Sequence, residues 1–172
     1  MKVSEGAQEA DNSESTIQKL LHSFERYYNV RVDNVCAPFC AEAEFHSHSE
    51  QYFLVKAAHV ADIDSNEYVF FAEAETLDEK LFDNLSTRAW EEGLSRIHPY
   101  SGHRNSDITL IILAEKIADD AAAKIKKAKK SKSYKFSLYG WSNFRALAYE
   151  ISTGRAVTNR HGSSLKKLVS TL

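Results

Sequence analysis

The sequence predicts an α+β domain: a mixed, mainly antiparallel sheet with helices packed on its faces. Three patterns carry this prediction. Apolar and polar residues alternate over 39–48, apolar residues recur every three or four positions over 77–97, and an uninterrupted apolar run covers 108–114. These patterns are typical of a half-buried strand, an amphipathic helix and a strand covered on both faces, respectively.

The expected order of elements is α-βββ-α-β-α-βββ-α. We predict that residues 14–172 form one domain, because this length is usual for a single core and no internal stretch has the composition of a linker. Residues 1–13 are polar and acidic with almost nothing to bury, which predicts a disordered tail.

The first half of the chain contains one predicted helix and three predicted strands. Apolar residues between Ile17 and Tyr28 share one helical face, which predicts a helix over 15–29. Strands are predicted over 39–48, 52–60 and 68–74. The polar turn between the last two favours an antiparallel meander.

The second half begins with a long helix. A capping-box pattern at Thr76–Glu79 predicts its start, and Pro99 predicts its end near His98. The apolar run 108–114 is predicted to be the central strand, paired in parallel through a crossover helix. The remaining predicted elements are that helix at 118–130, its partner strand at 134–141, a hairpin at 144–151 and 155–159, and a final helix at 163–172.

Composition excludes several classes of protein. The formal net charge is −2, so the molecule lacks the overall positive field of a dedicated nucleic-acid binder. No apolar stretch approaches the roughly 20 residues that span a bilayer, and no leader pattern is present, so we expect a cytoplasmic protein without a membrane partner. Cys36 and Cys40 lack the Cys-x-x-Cys spacing of a redox pair, and we expect reduced, partly buried thiols.

A metal site is one hypothesis for the strand over 39–48. Side chains two positions apart on a strand point the same way, so His46, His48 and Glu44 could bind one divalent metal ion and support a metal-dependent hydrolase. The alternative, which the pattern favours, is that this strand face meets water, as one face of an antiparallel sheet often does. No other cofactor is predicted.

A ligand-binding loop is predicted between the long helix and the central strand. Residues 98–106 hold the densest group of polar functional side chains in the chain, including His98, His103 and Arg104. The predicted ligand-binding set also includes Trp141, an aromatic neighbour of the lysines over 124–135 that could supply a stacking face.

A local basic patch covers residues 124–135. Four of its lysines, Lys126, Lys127, Lys129 and Lys130, lie at the C-terminal end of the predicted helix, where positive charge also stabilises the helix dipole. Together with aromatic neighbours such as Tyr134, these lysines would suit a nucleic-acid or phosphate ligand, although this reading is not favoured.

Catalytic signatures are missing from the sequence. It contains no P-loop, no dinucleotide-binding glycine turn and no nucleophile elbow. The leading hypothesis is therefore a non-catalytic cytoplasmic binding or interaction domain, with the metal-dependent hydrolase and nucleic-acid binding as alternatives. The partner is not identified by the sequence, and a homo-oligomer is left open.

Overall fold

A computed structural model describes residues 14–46, 65–100 and 105–172. Within these residues it confirms the α+β class, with seven strands in one mixed sheet and four α-helices packed against it. The strands are β1 (Asn29–Arg31), β2 (Ala41–Phe45), β3 (Ser65–Leu77), β4 (Asn105–Ile117), β5 (Ser131–Ser133), β6 (Trp141–Glu150) and β7 (Arg155–Thr158).

Three parallel strands form the centre of the sheet. The strand order is β1-β2-β3-β4-β6-β5, and β7 pairs with the far half of β6. β4 pairs in parallel with both β3 and β6, while the other four pairings are antiparallel. Because β4 is central, its residues 110–114 are buried on both faces, as the apolar run predicts.

Helices cover both faces of the sheet. They are α1 (Thr16–Glu25), α2 (Glu79–Arg96), α3 (Asp119–Lys127) and α4 (Lys166–Val169), the last preceded by a 3₁₀ turn at Ser163–Leu165. α2 and α3 pack on the face that carries Phe70, Leu110 and Phe144. α1 and α4 pack on the opposite face, against Phe71 and Ile111.

The start of α2 differs from the capping-box prediction. Thr76 still pairs with Lys116 in the sheet, and the helix begins after Asp78, whose carboxylate accepts a hydrogen bond from the amide of Leu81 at 2.7 Å. The strand therefore extends further than the pattern indicates, because pairing with β4 continues through Leu77.

The prediction of a strand over 134–141 is wrong. Residues 134–140 form the turn between β5 and β6, and only Trp141 belongs to a strand. The strand after the crossover helix that pairs in parallel with β4 is instead β6, which also forms the predicted hairpin with β7. Alternating apolar residues suggested a half-buried strand at 134–141, but no element of the described part of the chain covers Phe136 or Leu138, which are 99% and 76% exposed.

Two further strand predictions have different outcomes. The strand over 39–48 is found as the shorter β2, which pairs directly with β3. The predicted first helix ends at Glu25, and a short strand that was not predicted, β1, follows it and pairs with the other edge of β2. The predicted strand over 52–60 and the predicted tail lie outside the described residues.

Candidate functional site

Several of the residues that the sequence suggested separately lie at one end of the sheet, where the three parallel strands begin. We refer to this end of the strands as the sheet edge. Ser65, Asn105 and Trp141 lie in register at the starts of the three parallel strands. The end of β2 lies at the same edge, since Phe45 pairs with Glu67, and His46 follows it. Three strand spacings, about 14 Å, separate β2 from β6 along this edge.

The basic patch reaches this edge through α3. That helix follows the far end of β4, and the chain then enters β5, which pairs with the first residues of β6. The segment after α3 therefore runs toward the start of β6, where Lys132 pairs with Ser142 and Ser133 with Trp141. We call Lys126, Lys127, Lys129 and residues 131–141 the hairpin edge.

The tip of this hairpin, residues 134–140, has a defined backbone. The Tyr134 amide donates to the Gly140 carbonyl at 2.9 Å, and the Tyr139 amide donates to the Tyr134 carbonyl at 3.1 Å. Three consecutive residues without glycine, Lys135, Phe136 and Ser137, have left-handed φ values of 45°, 53° and 69°. Such a conformation disfavours side chains with a Cβ, and the surrounding hydrogen bonds stabilise it.

Apolar side chains are exposed along the hairpin edge. Phe136 is 99% exposed, Leu138 is 76% exposed and Trp141 is 44% exposed. Tyr100, at the end of the described part of the predicted ligand loop, is also exposed. Apolar side chains clustered on a surface in this way are typical of an interaction site, whereas single exposed residues are ordinary.

Two lysines lie against aromatic rings of the hairpin tip, and three more lysines in and after α3 are exposed. Lys132 and Lys135 place their ammonium groups over the rings of Tyr134 and Tyr139, at 5.6 and 4.4 Å from the ring centres. Lys126, Lys127 and Lys129 are exposed, and no ion pair joins them to a carboxylate within the described residues. Their charges are therefore available to an anionic partner.

Two other lysines of the predicted patch have structural contacts. Lys130 is partly buried, with its ammonium 5.6 Å from the centre of the Phe144 ring, and burial lowers its pKa. Lys124 bridges Glu79 and Asp83 of α2, at 3.0 Å from each. Both lysines thus help to fix α3 and the following segment against neighbouring elements.

The predicted ligand-binding residues are only partly described. His98 is exposed directly after α2, and Trp141 is at the start of β6, on the strand next to the one that follows the loop. His103 and Arg104 lie outside the described residues. The ligand-binding role of these four residues stays a prediction.

The predicted metal ligands are also only partly described. His48 lies outside the described residues, and the His46 Nε2 atom is 3.5 Å from a Glu44 carboxylate oxygen. The other Glu44 oxygen accepts hydrogen bonds from Arg31 and Arg96, at 3.0 and 2.9 Å. Within the described ranges, no three His, Cys, Asp or Glu side chains are grouped to hold a metal ion, and the metal site stays a prediction.

The strand face that carries Glu44 does not simply meet water, contrary to the favoured alternative. Its neighbour Glu42 is 1% exposed and is contacted by Arg31 at 2.7 Å and Arg96 at 2.8 Å. Burial alone would raise the pKa of Glu42, but hydrogen bonds from Arg96 and the Cys36 amide, together with the two guanidinium charges, lower it overall. The arginines from β1 and α2 thus hold a buried carboxylate ionised.

Sequence reasoning missed a second buried ionic cluster, which lies beneath the same edge on the α1 face. Glu67 accepts hydrogen bonds from Tyr28 and Thr109, both at 2.6 Å, and from Arg145 at 2.9 Å. Asp107 lies 3.8 Å from Arg145. The one available signal was polar residues at matching positions of strands that are otherwise apolar, and it becomes visible only once the register is known.

Comparison with known families identifies one family that matches the sequence. A family model described as a domain of unknown function, DUF8052, matches residues 12–171. The chain belongs to this family. No curated protein and no solved structure shows significant similarity to it. Family membership therefore assigns no activity, and the function is unknown.

None of the helices in the described ranges combines the length and the apolar character needed to cross a bilayer.

Proposed function

We propose that this protein is a non-catalytic binding domain that contacts a negatively charged partner through the hairpin edge. One observation carries the proposal: an apolar tip with Phe136 99% exposed is held in a hydrogen-bonded turn among lysines. Such a tip costs free energy in the isolated protein, since it exposes apolar surface and uses left-handed backbone. A binding partner that covers the tip would offset this cost.

The ionisable groups beneath the sheet edge support a binding role over acid–base chemistry. Glu42, Glu44 and Glu67 each accept a hydrogen bond from an arginine. These three carboxylates are therefore engaged by side chains of the protein itself. Their contacts instead fix the strands and helices that present the hairpin edge.

The domain extent and location predicted from the sequence belong to the same proposal. A single sheet that includes both β1 and β7 supports one domain over residues 14–172. Cys36 and Cys40 are both free thiols, which is consistent with a reducing compartment such as the cytoplasm.

Retention on a heparin column tests the proposed surface. We expect the full chain to bind at low salt and the variant Lys126→Gln/Lys127→Gln/Lys129→Gln to lose about tenfold or more in affinity, because charge contacts to a polyanion add up. The matched control is Lys80→Gln/Lys166→Gln/Lys167→Gln, which removes three exposed lysines elsewhere. Equal elution of the two variants would contradict the proposal.

A further inference from the structure

The shape and chemistry of the hairpin tip narrow the class of partner. Phe136 is 99% exposed and Leu138 is 76% exposed, so among the described residues no element encloses them in a groove. They form an apolar projection. Lys132 and Lys135 lie against the rings of Tyr134 and Tyr139 beside it, and Lys129 precedes β5.

From this we infer that the partner is the surface of an anionic lipid bilayer, with Phe136 and Leu138 inserted among the lipids and the lysines against headgroup phosphates. The inference rests on the proposed function and names its partner. It differs from the sequence-based expectation of no membrane partner, which rested on the lack of a spanning segment. Peripheral insertion of a loop needs no such segment.

The arrangement of side chains along the hairpin suits the layers of a bilayer surface. Apolar side chains occupy the tip, Lys132 and Lys135 lie against the rings of Tyr134 and Tyr139 next to it, and Trp141 is 44% exposed where β5 and β6 begin to pair. Basic residues near an anionic surface add attraction, and tryptophan favours the headgroup level. The apolar tip would thus enter the hydrocarbon layer, the lysines would contact the headgroup phosphates, and the Trp141 indole would lie at the interface between the two layers.

Single-stranded nucleic acid fits the tip less well. Such ligands need aromatic faces on which bases stack, together with a groove that follows the backbone. The rings of Tyr134 and Tyr139 are already faced by lysine ammonium groups, and Leu138 has no aromatic face. Phe136, the most exposed aromatic ring at the tip, stands out from the surface and not within a groove.

The backbone of the tip supports a role for Phe136 beyond folding. Its φ of 53° is a conformation that asparagine adopts far more readily than phenylalanine. A large apolar residue here gains little burial and adds strain. Replacing it with asparagine should therefore leave the fold intact, which makes the variant a clean test.

Co-sedimentation with lipid vesicles provides that test. The full chain should bind vesicles of phosphatidylcholine with a minority of phosphatidylserine, and bind pure phosphatidylcholine vesicles much more weakly. The variant Phe136→Asn/Leu138→Gln should bind the anionic vesicles about tenfold less or weaker, because two apolar side chains no longer insert. The control Val32→Gln changes an exposed apolar residue on another part of the surface and should bind as the parent does.

The fluorescence of Trp141 provides a second measurement, because it reports whether this residue reaches the headgroup layer of the bilayer. Lipids brominated near the headgroup should quench its fluorescence when the parent binds, while Trp90, which packs against Phe144 in the core, adds a constant background. Thermal melts of every variant confirm that folding is unchanged.

The outcomes separate the two proposals. Binding to heparin or to a single-stranded oligonucleotide without binding to anionic vesicles would overturn the lipid inference and leave the hairpin edge as an anion-binding surface. Full vesicle binding by the Phe136→Asn/Leu138→Gln variant would also overturn it. Failure to bind all three probes would overturn both.

Discussion

At the residue scale, the buried glutamates show how charge is accommodated in this core. Glu67 is 4% exposed, yet each of its oxygens accepts a hydrogen bond, and Arg145 balances its charge. Arg145 also donates to Ser164 at 3.0 Å, so the cluster joins the turn after α1, the three parallel strands and the turn before α4. Removing one partner of such a pair leaves the other charge buried and unpaired.

Glu67→Ala therefore should lower the free energy of unfolding by about 3 kcal/mol or more. Urea denaturation followed by circular dichroism measures the change. Glu25→Ala is the matched control, because Glu25 lies on the exposed side of α1 and should change stability by less than about 0.5 kcal/mol. A loss no larger than that of the control would show that Arg145 finds adequate partners without Glu67.

At the element scale, the packing of α2 on the sheet depends on one small residue. Gly93 faces Ile108 of β4 so closely that an added Cβ would lie 2.7 Å from an Ile108 side-chain carbon. Both residues are buried, and Ile108 is completely covered. The helix can therefore approach the central strand only because this position has no side chain.

We expect Gly93→Ala to destabilise the protein by about 1–3 kcal/mol, since the overpacked core must shift. The double variant Gly93→Ala/Ile108→Ala should lose less stability than the two single variants added together, because alanine lacks the Cγ1, Cγ2 and Cδ1 atoms that the new methyl group would meet. A double-mutant cycle in urea measures this coupling. If the two losses simply add, the contact between α2 and β4 does not limit the packing.

At the scale of the whole molecule, stability should depend on pH on the alkaline side. Burial first, and then the charge of Glu67, raise the pKa of Tyr28 well above its ordinary value. The folded protein therefore keeps the phenol proton at a pH where the unfolded chain loses it. This contribution is complete below the unfolded pKa of about 10 and is lost progressively as the pH rises above it.

Thermal melts between neutral and strongly alkaline pH test this dependence. Tyr28→Phe should be less stable at neutral pH, because Glu67 loses a hydrogen-bond donor, but its melting temperature should fall less steeply above pH about 10. Some slope should remain, since burial also raises the pKa of Tyr68 and Tyr134. Parallel curves for parent and variant would rule out Tyr28 as a source of the dependence.

The candidate site was partly predictable. The sequence patterns identified the lysines, Trp141 and the polar loop as separate features, because each is recognisable from local composition. That they share one edge could not be predicted, since it depends on which strands pair in parallel and on the register that aligns Asn105 with Trp141. The arginines that bind Glu42 were likewise missed, because Arg31 and Arg96 come from distant parts of the sequence.

By itself, the sequence determined the α+β class, the long helix, the doubly covered central strand and the hairpin of β6 and β7, because periodicity and turn residues act over short distances. Only the tertiary structure decided that residues 134–140 are an exposed turn and that β1 completes the sheet edge. An alternating segment becomes a buried strand only if another element covers it. Whether such cover exists is a property of the assembled fold.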